Sequence, residues 1–227
     1  MSGSGIYGGV DPADMPAYTL AEAAGLVGVP RSTLQKWTRG RSFSRKNGGT
    51  GTTSPIIKTS SANFLSFTNI VEAHVLAGLR GDRIGLDKIR SAVSCVERKF
   101  GVRHPLAREE FKTDGVNLFV ERLGKLLNAS HDGQVAMREV LDRHLRRVEF
   151  DEGRAVRLYP LFRPEAPRAI VIDPRRAFGR PTLVNTSIPL VDILARFDCG
   201  DSLEELAADY QISSQAVQEA LRARKAA

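Results

Sequence analysis

Cysteine is scarce in this chain, which argues against a disulfide-stapled domain and against a zinc site. Only two cysteines occur among 227 residues, Cys95 and Cys199, and they lie far apart in helical patterns. That separation matches no zinc-binding spacing, and a reducing cytoplasm suits unpaired thiols best. We therefore expect a cytoplasmic protein that binds no metal and no cofactor.

Long apolar runs are also missing. No segment approaches the roughly 18 apolar residues that a membrane helix requires. The first five residues, Met-Ser-Gly-Ser-Gly, have neither the basic region nor the apolar core of an export signal. We therefore expect no membrane partner.

Residue patterns typical of catalysis are absent as well. The histidines are His74, His104, His131 and His144. They are scattered, and His74 lies in an apolar helical pattern, which favours a core or surface residue over a general base. Residues 48–53, Gly-Gly-Thr-Gly-Thr-Thr, lack the lysine of a phosphate-binding loop, and no helix is indicated after them. We expect no enzymatic activity.

Acidic residues are absent between positions 23 and 71, and this absence is the most informative one. The same stretch carries seven basic residues, which are Arg31, Lys36, Arg39, Arg41, Arg45, Lys46 and Lys58. The formal net charge of the whole chain is also +7, because acids and bases nearly cancel elsewhere. A positive surface on one part of a molecule is typical of nucleic-acid binding.

A helix-turn-helix is predicted at the start of this stretch. Thr19 and Glu22 form a capping box, so a first helix should begin at Leu20. Pro30 suits the first turn of a second helix, because its missing N–H would be unpaired there anyway. That second helix, residues 31–38, would direct its polar side chains outward and enter the major groove of DNA.

A basic β-hairpin is predicted directly after the second helix. Asn47-Gly48-Gly49 is a hairpin turn signal within residues 41–53. The segment Pro55-Ile56-Ile57-Lys58 is predicted to be the returning strand. A hairpin in this position is a wing, which contacts DNA beside the recognition helix.

Residues 18–24, Tyr-Thr-Leu-Ala-Glu-Ala-Ala, and residues 28–37, Gly-Val-Pro-Arg-Ser-Thr-Leu-Gln-Lys-Trp, resemble the winged helix-turn-helix of MerR-type regulators. The resemblance implies a DNA-binding domain over residues 18–103. Helices predicted at 69–80 and 86–100 would support the DNA-binding unit and carry a dimer contact.

Candidate DNA contacts follow from the chemistry of the side chains. Arg31, Gln35 and Lys36 are the candidates for reading bases, since arginine pairs bidentately with guanine and glutamine with adenine. The candidates for phosphate contacts are Ser32, Thr33, Arg39, Arg41, Arg45, Lys46 and Lys58. The alternative is that these basic residues form only a solvated surface.

Two further regions have less specific patterns. Residues 1–17 are predicted to be a flexible arm. Residues 104–168 are predicted to be a small α+β region, in which residues 111–120 form two short strands around a turn. Residues 148–161 repeat this plan, and a helix is predicted at 135–147 between the two hairpins.

The C-terminal region, residues 169–227, is predicted to begin with a strand at 169–172. Three short helices follow, at 190–197, 203–210 and 214–224, and together they have the shape of a second helix-turn-helix. Acidic residues in the second of these helices would repel phosphates. A partner-binding or dimerising surface is therefore the better interpretation of this region.

The same region contains several short motifs. They are Asp173-Pro174, Gly179-Arg180-Pro181, Thr186, Ile188-Pro189, the run from Gly200 to Ala207, and Tyr210. These motifs resemble a widespread short bacterial domain that is common in antitoxins paired with PIN-fold ribonuclease toxins. Phe178 stands where shorter members of that domain usually have a second glycine. With the MerR-like N-terminus, the whole chain resembles the long VapB-type antitoxins.

The resemblance implies a homodimer that binds the operator of its own operon and neutralises a PIN-domain ribonuclease toxin. Arg175, Arg176 and Arg180 are candidates for contacts with the carboxylates of the toxin. Two alternatives remain open. One is a ligand-responsive MerR-like transcription regulator without a toxin, whose middle strands form an effector pocket, and the other is a scaffold with no DNA affinity.

The predicted fold class is mainly α with small β elements. It comprises an N-terminal winged helix-turn-helix, a small mixed α+β middle region and a C-terminal module of three helices that is helix-turn-helix-like.

Overall fold

The computed structural model describes residues 9–44, 48–79, 84–161 and 166–224. Over these residues the chain is mainly helical, with four antiparallel sheets of two short strands each. The broad fold class, mainly α with small β elements, is thereby confirmed. In the same part of the chain, no helix has the length and apolar character needed to cross a membrane.

The elements follow one another along the chain in this order. The helices are α1 (Leu20–Val27), α2 (Arg31–Arg39), α3 (Phe67–Ala77), α4 (Leu86–Phe100), α5 (Val116–Leu127), α6 (His131–Leu145), α7 (Leu190–Asp198), α8 (Leu203–Tyr210) and α9 (Ser214–Arg224). The strands are β1 (Tyr18–Thr19), β2 (Arg41–Ser44), β3 (Thr50–Thr53), β4 (Phe64–Leu65), β5 (Val148–Asp151), β6 (Arg154–Leu158), β7 (Ile170–Val171) and β8 (Thr182–Leu183). The strand pairs are β1 with β4, β2 with β3, β5 with β6, and β7 with β8.

Helix α3 lies at the centre of the larger of two hydrophobic cores. It begins with a capping box in which Ser66 and Asn69 bond reciprocally, each side chain accepting the other residue's backbone N–H at 3.2 Å. Nine of its residues are buried, from Phe67 to Leu76, and they cover every face of the helix. Elements from both the N-terminal and the middle regions therefore surround it, including α1, α6 and β6.

The larger core runs without a break from Ala13 to Ile172. Helix α4 belongs to the predicted DNA-binding domain and α5 to the predicted middle region, yet these two helices pack along each other. The position chosen for the boundary, between residues 103 and 104, therefore does not separate two cores. A second, smaller core is enclosed by α7, α8 and α9 together with β7 and β8.

The strands predicted in residues 111–120 are wrong. Phe111–Gly115 forms a wide helical turn with π-type hydrogen bonding that continues into α5. Phe111 and Phe119 are fully buried, and their rings meet edge to face with centroids 5.8 Å apart. Packing against α4 overrides the local preference of phenylalanine and valine for strands.

The flexible arm predicted for residues 1–17 is wrong for its described part, residues 9–17. Ala13 is buried, and Arg154 donates hydrogen bonds to Asp11 at 2.9 Å and to Asp14 at 2.7 Å. The Thr68 hydroxyl donates to Asp14 at 2.6 Å. Acidic residues near the N-terminus thus find partners far along the chain, which a local pattern cannot reveal.

Two polar pairs are enclosed with α3 in the larger core. Glu72 and His104 meet at 2.9 Å through the Glu72 carboxylate and His104 Nδ1. Burial raises the pKa of Glu72. Partial burial opposes the charged form of His104, but the hydrogen bond and the charge of Glu72 outweigh it and raise the pKa of His104. His74 donates from Nε2 to the backbone carbonyl of His144 at 3.1 Å, and burial lowers the pKa of His74 to about 3.

The smaller core is linked to the N-terminal region by a buried hydrogen bond. Tyr18, the first residue of β1, donates from its hydroxyl to the carbonyl of Gly179 at 2.7 Å. Burial, followed by the nearby charges of Asp173 and Glu22, raises the pKa of Tyr18, so the hydroxyl stays protonated as a donor. Gly179 has φ +77, and a Cβ atom there would lie 2.4 Å from the Tyr18 hydroxyl. The contact therefore requires glycine at this position.

We expect the free energy of unfolding to fall as the pH is lowered from 6.5 towards 3. The folded pKa of His74 is about 3 and its ordinary value is 6.5, so the unfolded chain binds more protons than the folded chain in this window. Linkage gives a loss of about 2 kcal/mol from this residue between pH 7 and pH 5. Urea unfolding at both pH values should show that His74→Gln removes a difference of this size. An unchanged pH dependence in the variant would contradict the prediction.

We also expect Tyr18→Phe to lower the free energy of unfolding by about 1 kcal/mol, because the substitution keeps the ring and removes a buried hydrogen bond. Urea unfolding and limited proteolysis around residues 174–181 would measure the effect. Tyr159→Phe is the comparison, since the Tyr159 hydroxyl bonds to the more exposed Glu149 at 2.7 Å. Equal losses in the two variants would mean that the Tyr18 bond has no special weight.

Candidate nucleic-acid interface

The predicted capping box at the start of α1 is confirmed. The Thr19 hydroxyl accepts the Glu22 N–H at 3.2 Å, and the Glu22 carboxylate accepts the Thr19 N–H at 2.8 Å. Helix α1 begins at Leu20, as expected, and ends at Gly28, which has φ 73 in the left-handed region. Glycine reaches this conformation without strain, and it reverses the chain towards α2.

Helix α2 is held against the core by one apolar face. Pro30 immediately precedes it, and the Pro30 carbonyl accepts the N–H groups of Thr33 at 2.8 Å and Leu34 at 3.1 Å. Pro30 is thus the residue before the first turn and not part of it. Leu34 and Trp37 are buried, so the orientation of the helix is set by packing and its other face is free for contacts.

The outward face of α2 carries most of the polar residues predicted for it. Arg31, Ser32, Gln35 and Lys36 are exposed, whereas Thr33 is half-buried. Arg39, at the end of the helix, is exposed and donates to the Ala62 carbonyl at 3.1 Å. The structure therefore brings the three candidate base-reading side chains onto one exposed surface.

A β-hairpin follows α2 directly. Strands β2 and β3 pair in antiparallel register from Arg41 opposite Thr53 to Ser44 opposite Thr50. Gly40 joins helix to hairpin with φ +71, and a Cβ atom there would lie 2.0 Å from the Thr53 carbonyl oxygen. Because no side chain fits, Gly40 brings the hairpin close to the end of α2. The Arg41 side chain, Arg45 and Lys46 lie outside the described residues.

The returning strand was predicted at residues 55–58, and this is wrong. Strand β3 consists of Thr50–Thr53. Ile56 and Ile57 are buried instead, and both donate backbone N–H groups to the Trp37 carbonyl, at 2.8 and 3.0 Å. The two isoleucines fit a strand pattern, but burial beneath α2 removes more apolar surface from water than an exposed hairpin would.

The charge of this surface differs from the charge of the sequence segment. Lys58 is exposed and forms an ion pair with Glu97 of α4 at 2.5 Å. Sequence reasoning missed this pairing because Glu97 lies 39 positions away. It also missed a positive charge beside the hairpin. Arg90 of α4 donates from Nε to the Ser54 carbonyl at 2.7 Å.

The three arginines proposed as partner contacts lie on one loop, residues 174–181. Arg175, Arg176 and Arg180 are all exposed. The loop begins after Asp173, which is buried and accepts a hydrogen bond from Arg157 at 3.0 Å. Arg176 lies 3.9 Å from the same carboxylate, at the limit of an ion pair.

A polar cavity of about 570 Å³ lies in the middle region. Strands β5 and β6 form part of its wall, which carries charged side chains of both signs. Within it, Arg157 bridges Glu149 at 3.1 Å and Asp173 at 3.0 Å. Hydrogen bonds from Tyr159 and Arg157 lower the pKa of Glu149. Throughout the described ranges, no three His, Cys, Asp or Glu side chains are grouped as a metal site would require.

Comparisons with known proteins match two separate parts of the chain. Residues 16–93 match the family described as "Putative DNA-binding HTH domain". Residues 170–222 match the family described as "Protein of unknown function (DUF433)". The first match spans α1, α2, the hairpin, α3 and the first half of α4, and the second spans most of the small C-terminal core.

Full-length relatives come from Mycobacterium tuberculosis. "Putative antitoxin VapB45" is 29% identical over 92% of this chain and 94% of that protein. "Uncharacterized protein Rv2308" is 30% identical over 92% of this chain and 90% of that protein. The crystal structure of Rv2018 has a TM-score of 0.69 at 26% identity, covering 92% of this chain and 98% of that one. By this extent of similarity, the chain belongs to the same protein family as Rv2308 of M. tuberculosis.

Proposed function

We propose that this chain is a DNA-binding antitoxin of the VapB type, which neutralises a PIN-domain ribonuclease and represses its own operon. The observation that carries the proposal is the exposed face of α2, where Arg31, Gln35 and Lys36 project together from a segment without acids. The relative named as an antitoxin, which aligns along nearly the whole chain, supports it.

In this proposal α2 is the recognition helix of a MerR-like winged helix-turn-helix. Arg31, Gln35 and Lys36 read base edges in the major groove, because their donors and acceptors match guanine and adenine. The hairpin β2–β3 is the wing beside it. Phosphate contacts, which set register and not sequence preference, come from Ser32, Thr33, Arg39, Arg41, Arg45, Lys46 and Lys58.

Lys58 needs an exchange of partners to take this role. Its ion pair with Glu97 joins a half-exposed ammonium group to a carboxylate at the surface. Pairs of this kind contribute at most about 1 kcal/mol. A DNA phosphate can therefore replace Glu97 as the partner of Lys58 at little cost in free energy, because water can hydrate the released Glu97 carboxylate.

The chain acts as a homodimer in this proposal. A single helix reads only a few base pairs, and two copies related by a two-fold axis place their recognition helices in successive major grooves. Binding two half-sites doubles the phosphate contacts. The salt dependence of the affinity would then be steep.

The partner of the C-terminal region is a PIN-domain ribonuclease in this proposal, and the chain itself performs no catalysis. Arg175, Arg176 and Arg180 are exposed on one loop. Guanidinium groups pair bidentately with carboxylates, so these arginines suit the acidic, metal-dependent site of such a nuclease. The toxin would be inhibited while the DNA-binding surface stays accessible.

A ligand-responsive regulator without a toxin is the second candidate. The polar cavity beside β5 and β6, about 570 Å³ in volume, favours it. A cavity of this size accommodates a small molecule. Its charges of both signs would suit a polar effector. Whether the adjacent gene encodes a small acidic-site nuclease, and whether its product co-purifies with this chain, distinguishes the two candidates.

We expect Arg31→Ala and Gln35→Ala to abolish the preference for the upstream DNA of the chain's own gene over a scrambled duplex. Each lost bidentate base contact costs about 1–3 kcal/mol of discrimination. Fluorescence anisotropy across a salt series would measure it, with a slope of about −0.9 per phosphate neutralised. Flat, weak and sequence-independent binding of the wild-type chain would contradict the proposal.

The control is Arg138→Ala, because Arg138 lies on α6 and is half-exposed beside Asp142, at 3.6 Å. It removes one positive charge, like Arg31→Ala, but from a surface that the proposal does not place on DNA. Its affinity and preference should match those of the wild-type chain. An equal loss in both variants would show that only net charge matters.

We expect co-expression of the chain to relieve growth arrest caused by the PIN-domain nuclease proposed as its partner. Arg175→Glu combined with Arg180→Glu should abolish relief, because like charges would face the toxin's carboxylates. Operator binding by this variant should stay unchanged. Relief that persists in the variant would remove these arginines from the toxin contact.

A further inference from the structure

Phe178 is exposed to an extent that is unusual for an aromatic side chain. Its relative exposure is 80%, the highest among the large apolar residues of the described chain. Its backbone has φ 55 and ψ 32, and the preceding Ala177 has φ 46. Left-handed conformations are strained for residues with a Cβ atom, and bulky residues adopt them only where the surroundings enforce them.

The loop that carries Phe178 is held rigidly. Asp173 accepts the Arg175 N–H at 2.9 Å through its buried side chain. Backbone bonds join the Gly179 N–H to the Arg176 carbonyl at 2.8 Å and the Arg180 N–H to the Ala177 carbonyl at 3.0 Å. The Tyr18 hydroxyl fixes the carbonyl of Gly179. The strained conformation therefore presents the Phe178 ring to solvent from a fixed frame.

The surroundings of Phe178 are positive. Arg175, Arg176 and Arg180 are exposed, and residues 174–181 include no acid. Asp173 is buried, engaged by Arg157 and 3.9 Å from Arg176, and Glu22 lines the groove beside Arg180. Arg175 and Arg180 are therefore the charges of this loop best placed to meet an acidic partner.

A groove of about 600 Å³ adjoins the ring. One side consists of Phe178, Arg180 and Pro181, and the other is the outer face of α1 with the residues before it. Most of the lining is small or apolar, including Ala17, Ala21, Gly25 and Leu26, and Glu22 adds a negative charge. Such a largely small and apolar lining suits protein side chains.

We propose that Phe178, the three arginines and this groove form the docking surface for an acidic protein, and that Phe178 is its aromatic anchor. The inference rests on the proposed function, which supplies the partner as a PIN-domain nuclease. The Phe178 ring enters an apolar pocket of the partner, and Arg175, Arg176 and Arg180 pair with carboxylates at the rim. Because α1 forms one wall, the partner contacts the helix-turn-helix and the C-terminal region together.

The decisive variant is Phe178→Gly, since glycine adopts φ 55 without strain. The fold should be as stable as the wild type or more so, while the anchor is lost. Isothermal titration calorimetry of the full chain with a catalytically inactive form of the PIN-domain nuclease proposed as its partner should show affinity weaker by about 30-fold, the loss typical of an anchor residue. Operator affinity should not change.

The matched control is Phe197→Ser, which removes another exposed aromatic ring from the C-terminal region, on α7. It should bind the nuclease like the wild type. Arg175→Glu with Arg176→Glu should weaken binding in a salt-dependent manner.

Each other outcome overturns the inference. If the wild-type chain does not bind the nuclease, both the proposed toxin partner and this docking surface are ruled out. If the wild-type chain and Phe178→Gly bind the nuclease equally, this docking surface is ruled out and the proposed function stands. If the variant loses operator affinity, the loop contacts DNA. If it changes the oligomeric state in light scattering and keeps nuclease affinity, the loop is an interface between copies.

Discussion

Helix α3 is buried on every face, and the arrangement of the larger core follows from this constraint. A helix without a solvent face needs neighbours all round, and these come from α1, α6, β6 and the short turns on either side. It also carries Glu72 and His74, which need buried polar partners. His104 and the carbonyl of His144 supply them, at 2.9 and 3.1 Å. The N-terminal and middle regions thus form one body because neither covers α3 alone.

The surface proposed for DNA depends on that body. Leu34 and Trp37 are buried and hold α2 against the core. Gly40 has no side chain, so the end of α2 can approach the Thr53 carbonyl of the hairpin closely. Recognition side chains that project from a packed helix keep their geometry before DNA arrives, so less conformational entropy is lost on binding. The orientation of the outer face of α2 is therefore a consequence of what its inner face buries.

One of the links between the two cores is a single buried hydrogen bond. Tyr18 precedes the capping residue of α1 and reaches across to Gly179. The same loop carries the exposed Phe178 and three arginines. A partner that docks on this loop lies against α1, the first helix of the helix-turn-helix.

The sequence correctly indicated that basic residues are concentrated between positions 23 and 71. It did not reveal which charged side chains lie beside them in space. A window along the chain counts neighbours in sequence, whereas a surface is assembled from several helices. Glu97 and Arg90 both come from α4 and border the predicted DNA surface. One removes a positive charge from this surface and the other adds one.

Local hydrogen bonding is what the sequence by itself determined in this protein. Thr19 with Glu22 closes a capping box over one turn, so α1 begins where these residues predict, and α8 begins at the predicted Leu203 with a similar box of Ser202 and Glu205. Gly101 ends α4 in the same local manner. The tertiary structure alone decided the helix at residues 111–127 and the exposure of Phe178. A strand or an exposed ring is defined by its partners in space, and apolar residues take whichever conformation buries them best.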